Sequence, residues 1–165
     1  MPCIGRKSLP IAADLDRTDL RILSIVQADA DLAVTEIAAR VNLSQNACWR
    51  RIKRLDSEGY IARRVAILDH ARLGAGMTVF VAIRTAEHSD VWLDQFRQAV
   101  VPIPEILEIY RMSGDVDYLL KLKVDDMTAY DRIYKQLIRA VKLFDVSSTF
   151  AMEEIKMTTA IALPI

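Results

Sequence analysis

Val41-Asn42-Leu43-Ser44-Gln45-Asn46-Ala47-Cys48-Trp49-Arg50-Arg51-Ile52-Lys53-Arg54-Leu55-Asp56-Ser57-Glu58-Gly59 is the stretch that decides how the first third of the chain folds. Cys48, Ile52 and Leu55 stand at i, i+4 and i+7, the spacing of a buried helical stripe. Ser44 is the residue type that caps a helix start, and Gly59 the type that ends one, because it accepts a left-handed backbone. The spacing therefore predicts a helix from Ser44 to about Ser57, entered through a short turn at Asn42 and Leu43. Upstream, a second helix is predicted to begin around residues 34–35, with Glu36 favouring its N-terminal dipole and Ile37, Ala38 and Val41 facing inward. Further upstream, Asp16 is placed to cap a first helix with Asp19 at its third position. Leu20, Leu23 and Val26 recur along that helix, which fades near residues 29–31. Three helices with a tight turn before the last make a helix-turn-helix.

The third helix turns polar chemistry outward. Gln45, Asn46, Trp49, Arg50 and Lys53 fall off its buried stripe. Gln and Asn bond base edges, cations neutralise phosphates, and a capped helix start holds an anion on its free N–H groups. The candidate DNA-contacting set is Ser44, Gln45, Asn46, Trp49, Arg50, Arg51, Lys53 and Arg54. The competing reading is a solvated charged face. Trp49 fits either packing on the first helix or lying on sugar–phosphate, and Arg51 fits either a phosphate contact or a pair with a nearby acid. Cys48 reads as a small buried hydrophobe. After Gly59, residues 60–68 read as a strand that brings Arg63 and Arg64 beside the reading head as a wing. Residues 69–76 contain two glycines and mark the hinge.

Beyond the hinge a unit repeats. Residues 77–85 read as a strand apolar on both sides. A helix follows, capped by Ser89 and marked by Trp92, Phe96 and Val100, with Pro102 and Pro104 after it. A second strand over 106–112 is expected to put Ile106, Glu108 and Tyr110 on one side. The turn at 113–117 centres on Gly114. A strand at 118–124, a helix from Met127 to about Val141 and a last strand at 146–154 complete βαββαβ, the ferredoxin-like order. The fold class is α+β: an N-terminal winged helix-turn-helix and a C-terminal ferredoxin-like domain. Both sheet faces are expected to be covered, one by helices and the other by a second copy of the chain. The expected boundaries are a flexible tail at 1–13, a DNA-binding domain at 14–64, a strand and hinge at 65–76, a ferredoxin-like domain at 77–157 that pairs with a second copy, and a tail at 158–165.

Composition agrees with this division. Of 165 residues, 52% are hydrophobic and 27% charged, enough for packed cores. Net charge is zero, but residues 1–64 hold 11 Lys/Arg against 8 Asp/Glu, and the remainder reverses the bias. Residues 50–64 alone carry six cations and two acids. No apolar run reaches the roughly 18 residues of a membrane span, the first 13 residues do not read as a secretory leader, and two cysteines, Cys3 and Cys48, suggest no disulfide framework. A reducing cytoplasm fits.

The sequence holds no phosphate loop, dinucleotide fingerprint or nucleophile elbow, and His70 and His88 pair with no cysteine at metal spacing. No enzyme, metal or cofactor is expected. Asp125 and Asp126 sit where a helix starts and read as caps rather than metal ligands. The turn Met112-Ser113-Gly114-Asp115-Val116-Asp117-Tyr118 admits two readings. It is a plain turn, or a site whose backbone N–H groups take a carboxylate while Asp117 takes an ammonium, together recognising an amino acid.

Several stretches resemble the Lrp/AsnC family of leucine-responsive, or feast/famine, regulators. They are Leu15-Asp16-Arg17-Thr18-Asp19 with Ile22-Leu23, Val41-Asn42-Leu43-Ser44, Arg51-Ile52-Lys53-Arg54-Leu55, Glu58-Gly59-Tyr60-Ile61, Ser113-Gly114-Asp115-Val116-Asp117-Tyr118-Leu119-Leu120 and Met152-Glu153-Glu154-Ile155-Lys156. The resemblance covers about residues 14–158. It implies a regulator of transcription that binds double-stranded DNA, forms homodimers that assemble further, often to octamers, and binds an amino-acid effector between dimers. Carried onto this chain, the effector positions are Arg111, Gly114, Asp117, Tyr118, Met127, Thr149, Phe150 and Ala151. A narrower resemblance, to the cysteine-responsive branch, rests on Val65-Ala66-Ile67-Leu68-Asp69, His88-Ser89-Asp90-Val91-Trp92, Tyr110-Arg111-Met112, Ser148-Thr149-Phe150-Ala151-Met152 and Lys156-Met157-Thr158-Thr159-Ala160. It implies cysteine as effector. Gln45-Asn46-Ala47 departs from the family's usual Pro- and Thr-containing start of the reading helix, so the operator sequence is expected to differ. Rival readings are an architectural DNA-binding protein without an effector, a regulator answering to another amino acid such as leucine, and a metabolic enzyme built on the ferredoxin-like domain.

Overall fold

Helix α1 (Arg17–Ala28) begins at a reciprocal capping box: the Asp16 carboxylate accepts the Asp19 N–H at 2.8 Å, and the Asp19 carboxylate accepts the Asp16 N–H at 3.2 Å. This computed structural model describes residues 14–74 and 76–165; the expected N-terminal tail and Cys3 lie outside the described residues. Helix α2 (Val34–Arg40) follows, and Asn42 turns the chain at φ 56°, a left-handed conformation that Asn tolerates. Helix α3 (Gln45–Ser57) is capped by the Ser44 hydroxyl, which accepts the Ala47 N–H at 3.3 Å. It ends in a Schellman motif: Gly59 at φ 80° donates to Asp56 O, and Tyr60 donates to Leu55 O.

The three helices close on Ile22, Val26, Ile37, Ala38, Val41, Cys48 and Leu55, all buried. Each large member of such a core contributes about 1.5–3 kcal/mol on burial. Ile22, not Leu20 or Leu23, sits at its centre; both leucines are half-buried flanks. Burial pushes the Cys48 thiol pKa up, in keeping with a packing role.

The expected strand at 60–68 does not form. Residues 62–69 make no ladder, and Val65, Ile67 and Leu68 are exposed. The residue types favour extended backbone, but a strand exists only when a second one accepts its N–H and C=O groups, and no such strand adjoins this segment among the described residues.

The second part is a four-stranded antiparallel sheet of order β2-β3-β1-β4, built from β1 (Met77–Arg84), β2 (Ile106–Arg111), β3 (Tyr118–Val124) and β4 (Asp145–Phe150). Helices α4 (Asp90–Val100) and α5 (Met127–Ala140) complete the βαββαβ order. With the two connections in this order, the fold is ferredoxin-like. Val79, Val81 and Ile83 from β1 join Leu120 and Leu122 from β3 in one core with Trp92, Phe96, Ile133 and Leu137 from the helices. Trp92 and Phe96 stack at 5.2 Å, and Phe96 meets Tyr118 at 4.8 Å.

Two expectations are corrected by the sheet. A register shift between Ile106 and Glu108 puts Ile106 opposite Leu122 and Glu108 opposite Lys121, so the two do not share a face. The last strand stops at Phe150, with one further bond from Ala151 N–H to Thr78 O; Met152–Glu154 have no ladder partner. The face away from the helices is mixed rather than apolar. Phe80 and Leu119 share it with Glu108, Tyr110 and Lys121, and Lys121 bonds Glu108 at 3.0 Å. The Tyr110 hydroxyl also donates to Glu108, and these two bonds, Tyr110 first, hold the Glu108 carboxyl below its ordinary range.

By packing, the described chain falls into two units: residues 14–66 together with Lys156–Ile165, and Ile67–Ile155. The tail belongs to the helical unit through two reciprocal bonds. The Gln27 amide donates to Ile161 O at 2.9 Å and accepts the Ile161 N–H at 3.1 Å.

Candidate nucleic-acid interface and effector site

Burying Cys48 and Leu55 fixes which side of α3 faces out. Ser44, Gln45, Asn46, Trp49, Arg50 and Lys53 are all exposed, Trp49 by 51%. Asn46, Arg50 and Lys53 lie at i, i+4 and i+7 and form the crown of the helix opposite its core stripe. The free N–H groups of the first turn, beside the Ser44 cap, complete a polar surface of the kind that meets phosphates and base edges.

Arg51 and Arg54, expected in the DNA-contacting set, are engaged within the protein. Both guanidinium groups turn toward α1. Arg51 Nη1 bonds Asp16 Oδ2 at 2.6 Å and Asp19 Oδ1 at 2.8 Å, and Arg54 Nη2 bonds Asp19 Oδ2 at 2.5 Å. Asp19 is 1% exposed, so its charge is desolvated and draws the nearest donors. Of the two readings of Arg51, the pair with a nearby acid is the one present. The Asp19 amide, and after it Arg51, holds the Asp16 carboxyl below its ordinary value, outweighing the cost of its slight desolvation. Arg64 bonds Asp56 at 3.3 Å, and both Arg63 and Arg64 are exposed.

The turn between β2 and β3 is built as tightly as its glycine suggests. Gly114 stands at φ 112°, Met112 N–H donates to Asp117 O at 2.8 Å, and Asp117 N–H donates to Ile83 O at 3.0 Å. The Asp117 carboxylate accepts the Thr85 N–H at 2.8 Å. A shallow cleft of about 340 Å³ opens there, lined by Arg84, Thr85, Ala86, His88, Gly114, Asp115, Asp117 and Phe144. The Arg84 guanidinium lies 5.6 Å above the Phe144 ring.

The expected effector residues divide into two groups within one chain. Arg111, Gly114 and Asp117 stand at the end of the sheet where β1 reaches Arg84. Met127, Phe150 and Ala151 stand at the other end, where β1 begins: Phe150 pairs with Val79, Ala151 bonds Thr78, and Met127 opens the helix that follows Val124. From Val79 to Ile83 alone is about 13 Å of strand. Thr149 points to the mixed face, while Phe150 packs edge-on against Tyr130 at 5.1 Å on the helix face. Tyr118, expected at the effector site, has its ring buried against Trp92 and Phe96. Strand alternation puts it on the core side, a fact the motif alone does not carry.

Sequence patterns do not single out Asp19 as a buried counter-ion, nor Arg84, His88 and Phe144 as neighbours of the turn. For Asp19 a signal existed, since the third position of a capped helix faces back toward the packed turn. Phe144 and Arg84 are brought together by a sheet-end bond, Phe144 N–H to Arg84 O, which no local pattern announces. Among the described residues no group of three or more His, Cys, Asp or Glu is arranged to hold a metal, and the Asp126 carboxylate caps α5 through the Ala129 N–H. No helix among them is long and apolar enough to cross a membrane.

A helix-turn-helix unit and a separate ferredoxin-like unit define a two-part regulator, one part for DNA and one for a ligand. Residues 15–62 match the family description "Winged helix-turn-helix DNA-binding", and residues 78–161 match "Lrp/AsnC ligand binding domain". The chain is similar to the "Glutamate uptake regulatory protein" of Zymomonas mobilis, 51% identical over 91% of this chain and 92% of that one. It is also similar to the "DNA-binding transcriptional activator DecR" of Escherichia coli, 43% identical over 89% and 97%. Among solved structures, an AsnC family transcriptional regulator from Agrobacterium tumefaciens superposes with a TM-score of 0.86 at 51% identity, covering 90% of this chain and 97% of that one. A Neisseria meningitidis transcriptional regulator in complex with L-Met superposes equally, at 0.86 and 30% identity, over 91% and 97%. The chain belongs to the Lrp/AsnC family, and it is a DNA-binding transcriptional regulator, not an enzyme.

Proposed function

We propose that this regulator reads duplex DNA with Ser44, Gln45, Asn46, Trp49, Arg50 and Lys53, and that an amino acid, with L-cysteine as first candidate, binds its ferredoxin-like unit and alters that reading. The observation that carries the first half is the crown of α3, polar and cationic, left exposed while Cys48 and Leu55 are buried. The ligand half rests on the turn around Gly114 and Asp117, on the match to a ligand-binding domain, and on two relatives whose names mention amino acids, glutamate and L-Met. Cysteine rests on the branch-level motifs, among them Tyr110-Arg111-Met112 and Ser148-Thr149-Phe150-Ala151.

The two-ended placement of the effector residues supports an assembly. A site made of Arg111, Gly114 and Asp117 from one copy and Met127, Thr149, Phe150 and Ala151 from another is closed only when copies associate. In this reading the chain is a homodimer that assembles further, to an octamer, in the cytoplasm, and the effector acts by favouring one assembly over another.

The test is a thermal-shift screen of the amino acids on the full chain, followed by sedimentation with and without each hit. Cysteine is expected to raise the melting temperature and change the assembly. A rise with glutamate, methionine or leucine but not cysteine reassigns the effector. No rise with any amino acid, with duplex binding intact, replaces this reading by the architectural one.

A further inference from the structure

Two cation pairs sit on α3, each three residues apart, and they face different ways. Arg50 and Lys53 are exposed on the crown; Arg51 and Arg54 are drawn to α1 by one buried carboxylate, Asp19. Asp19 engages both oxygens: Oδ1 accepts from Arg51, while Oδ2 accepts from Arg54 and from the Asp16 N–H. Asp16 takes a second bond from Arg51 at 2.6 Å. These are the ion pairs that join α1 to α3. Apolar packing of Ile22 and Val26 with Cys48 and Leu55 decides which side of α3 faces inward but, being non-directional, sets its exact angle less sharply than a hydrogen-bonded ion pair does.

We infer that Asp19, seconded by Asp16, is a positioning residue for DNA recognition: it sets the rotation of α3 about its own axis and withholds Arg51 and Arg54 from phosphates. Two guanidinium groups one turn apart on a helix, anchored to a single carboxylate, narrow the angle that the apolar stripe leaves open. The side-chain tips of a helix lie about 5–6 Å from its axis, so a 20° rotation moves Asn46 or Arg50 by roughly 2 Å, more than a base-edge hydrogen bond tolerates. The same withholding keeps sequence-independent affinity down, because each phosphate contact adds to binding of every duplex alike. A buried ion pair is poor support for stability but a recognised device for specifying one arrangement among several. The inference rests on α3 being the reading helix and concerns how that helix is aimed.

The experiment compares Asp19→Asn with the unaltered full chain. Asn keeps the volume and an acceptor for the Asp16 N–H but removes the charge. The probes are a duplex enriched from a random library by the unaltered protein and a scrambled duplex of equal length, each titrated over a salt series. For Asp19→Asn, the preference for the enriched duplex is expected to fall roughly tenfold or more, about the cost of one lost base contact. Affinity for the scrambled duplex is expected to hold or rise, with the salt slope steeper by about one to two as Arg51 and Arg54 reach phosphates. Val26→Ala weakens the same core without touching the ion pairs and is expected to leave the preference unchanged at an equal drop in melting temperature. If Asp19→Asn fails to fold, Arg54→Gln removes one arm and is expected to lower the preference by a smaller factor. An unchanged preference in the folded variants, or parallel losses on both duplexes, overturns the inference. If the unaltered protein enriches no duplex, it is the choice of α3 as reader that fails instead.

Discussion

Asp16 carries a pH dependence with a definite sign. Its carboxyl is held below the ordinary 3.8 by the Asp19 amide and then by Arg51. A group whose folded pKa is depressed stabilises the fold at every pH above its unfolded value, and that contribution disappears as pH falls from about 4 through the folded value. Melting temperature is therefore expected to drop below about pH 4, and less steeply in Asp16→Asn, which still caps the helix but has no charge to lose. At the same scale, Arg50→Ala and Lys53→Ala are each expected to weaken binding to all duplexes and to lower the salt slope by about one, read by titration at several ionic strengths. Gly114 has open space around its Cα, so nothing steric forbids a side chain there; the obstacle is its φ of 112°. Gly114→Ala is expected to cost about 1–3 kcal/mol in denaturant unfolding, since the turn must then hold an L-residue in a sparsely populated conformation.

Elements differ in how openly their sequence announces them. Helix α3 was legible because three independent signals agree: the Ser44 cap, the buried stripe through Cys48 and Leu55, and the Gly59 stop. Helices α4 and α5 were legible for the same reason, through Ser89 and Trp92, and through Met127 and Leu137. What escaped reading depends on a second segment. Residues 60–68 have strand-forming types, but pairing belongs to a partner. The shift between Ile106 and Glu108 is decided by the ladder with β3, so alternation counted along β2 alone puts them on one face. The candidate sites divide likewise. The crown of α3 follows from helical spacing, whereas the inward turn of Arg51 and Arg54 and the burial of Tyr118 depend on neighbours distant in sequence. The Trp92–Phe96–Tyr118 stack is the element contact most exposed to test. Phe96→Ala is expected to destabilise the ferredoxin-like unit by about 3–5 kcal/mol, measured as a shift of its denaturant midpoint.

At the scale of the whole molecule, a regulator must let an event in one unit alter what another does. A ligand at a hundredfold excess over its Kd adds about 2.7 kcal/mol to the stability of the state it binds, ample to shift a balance between assemblies. Asp117→Asn retains an acceptor for the Thr85 N–H yet loses its charge. It is expected to bind duplex DNA like the unaltered protein while losing the amino-acid-induced rise in melting temperature, measured side by side.

The Gln27–Ile161 bonds give the helical unit a discontinuous recipe: it needs residues that come before the sensor in the chain and residues that come after it. On the ribosome, the last bonds of the helical unit therefore form only after residues 67–155 have been made. A chain ending within residues 67–155 would carry α1 without the segment that bonds Gln27, and its helical unit is expected to melt at a lower temperature than the same unit in the full chain.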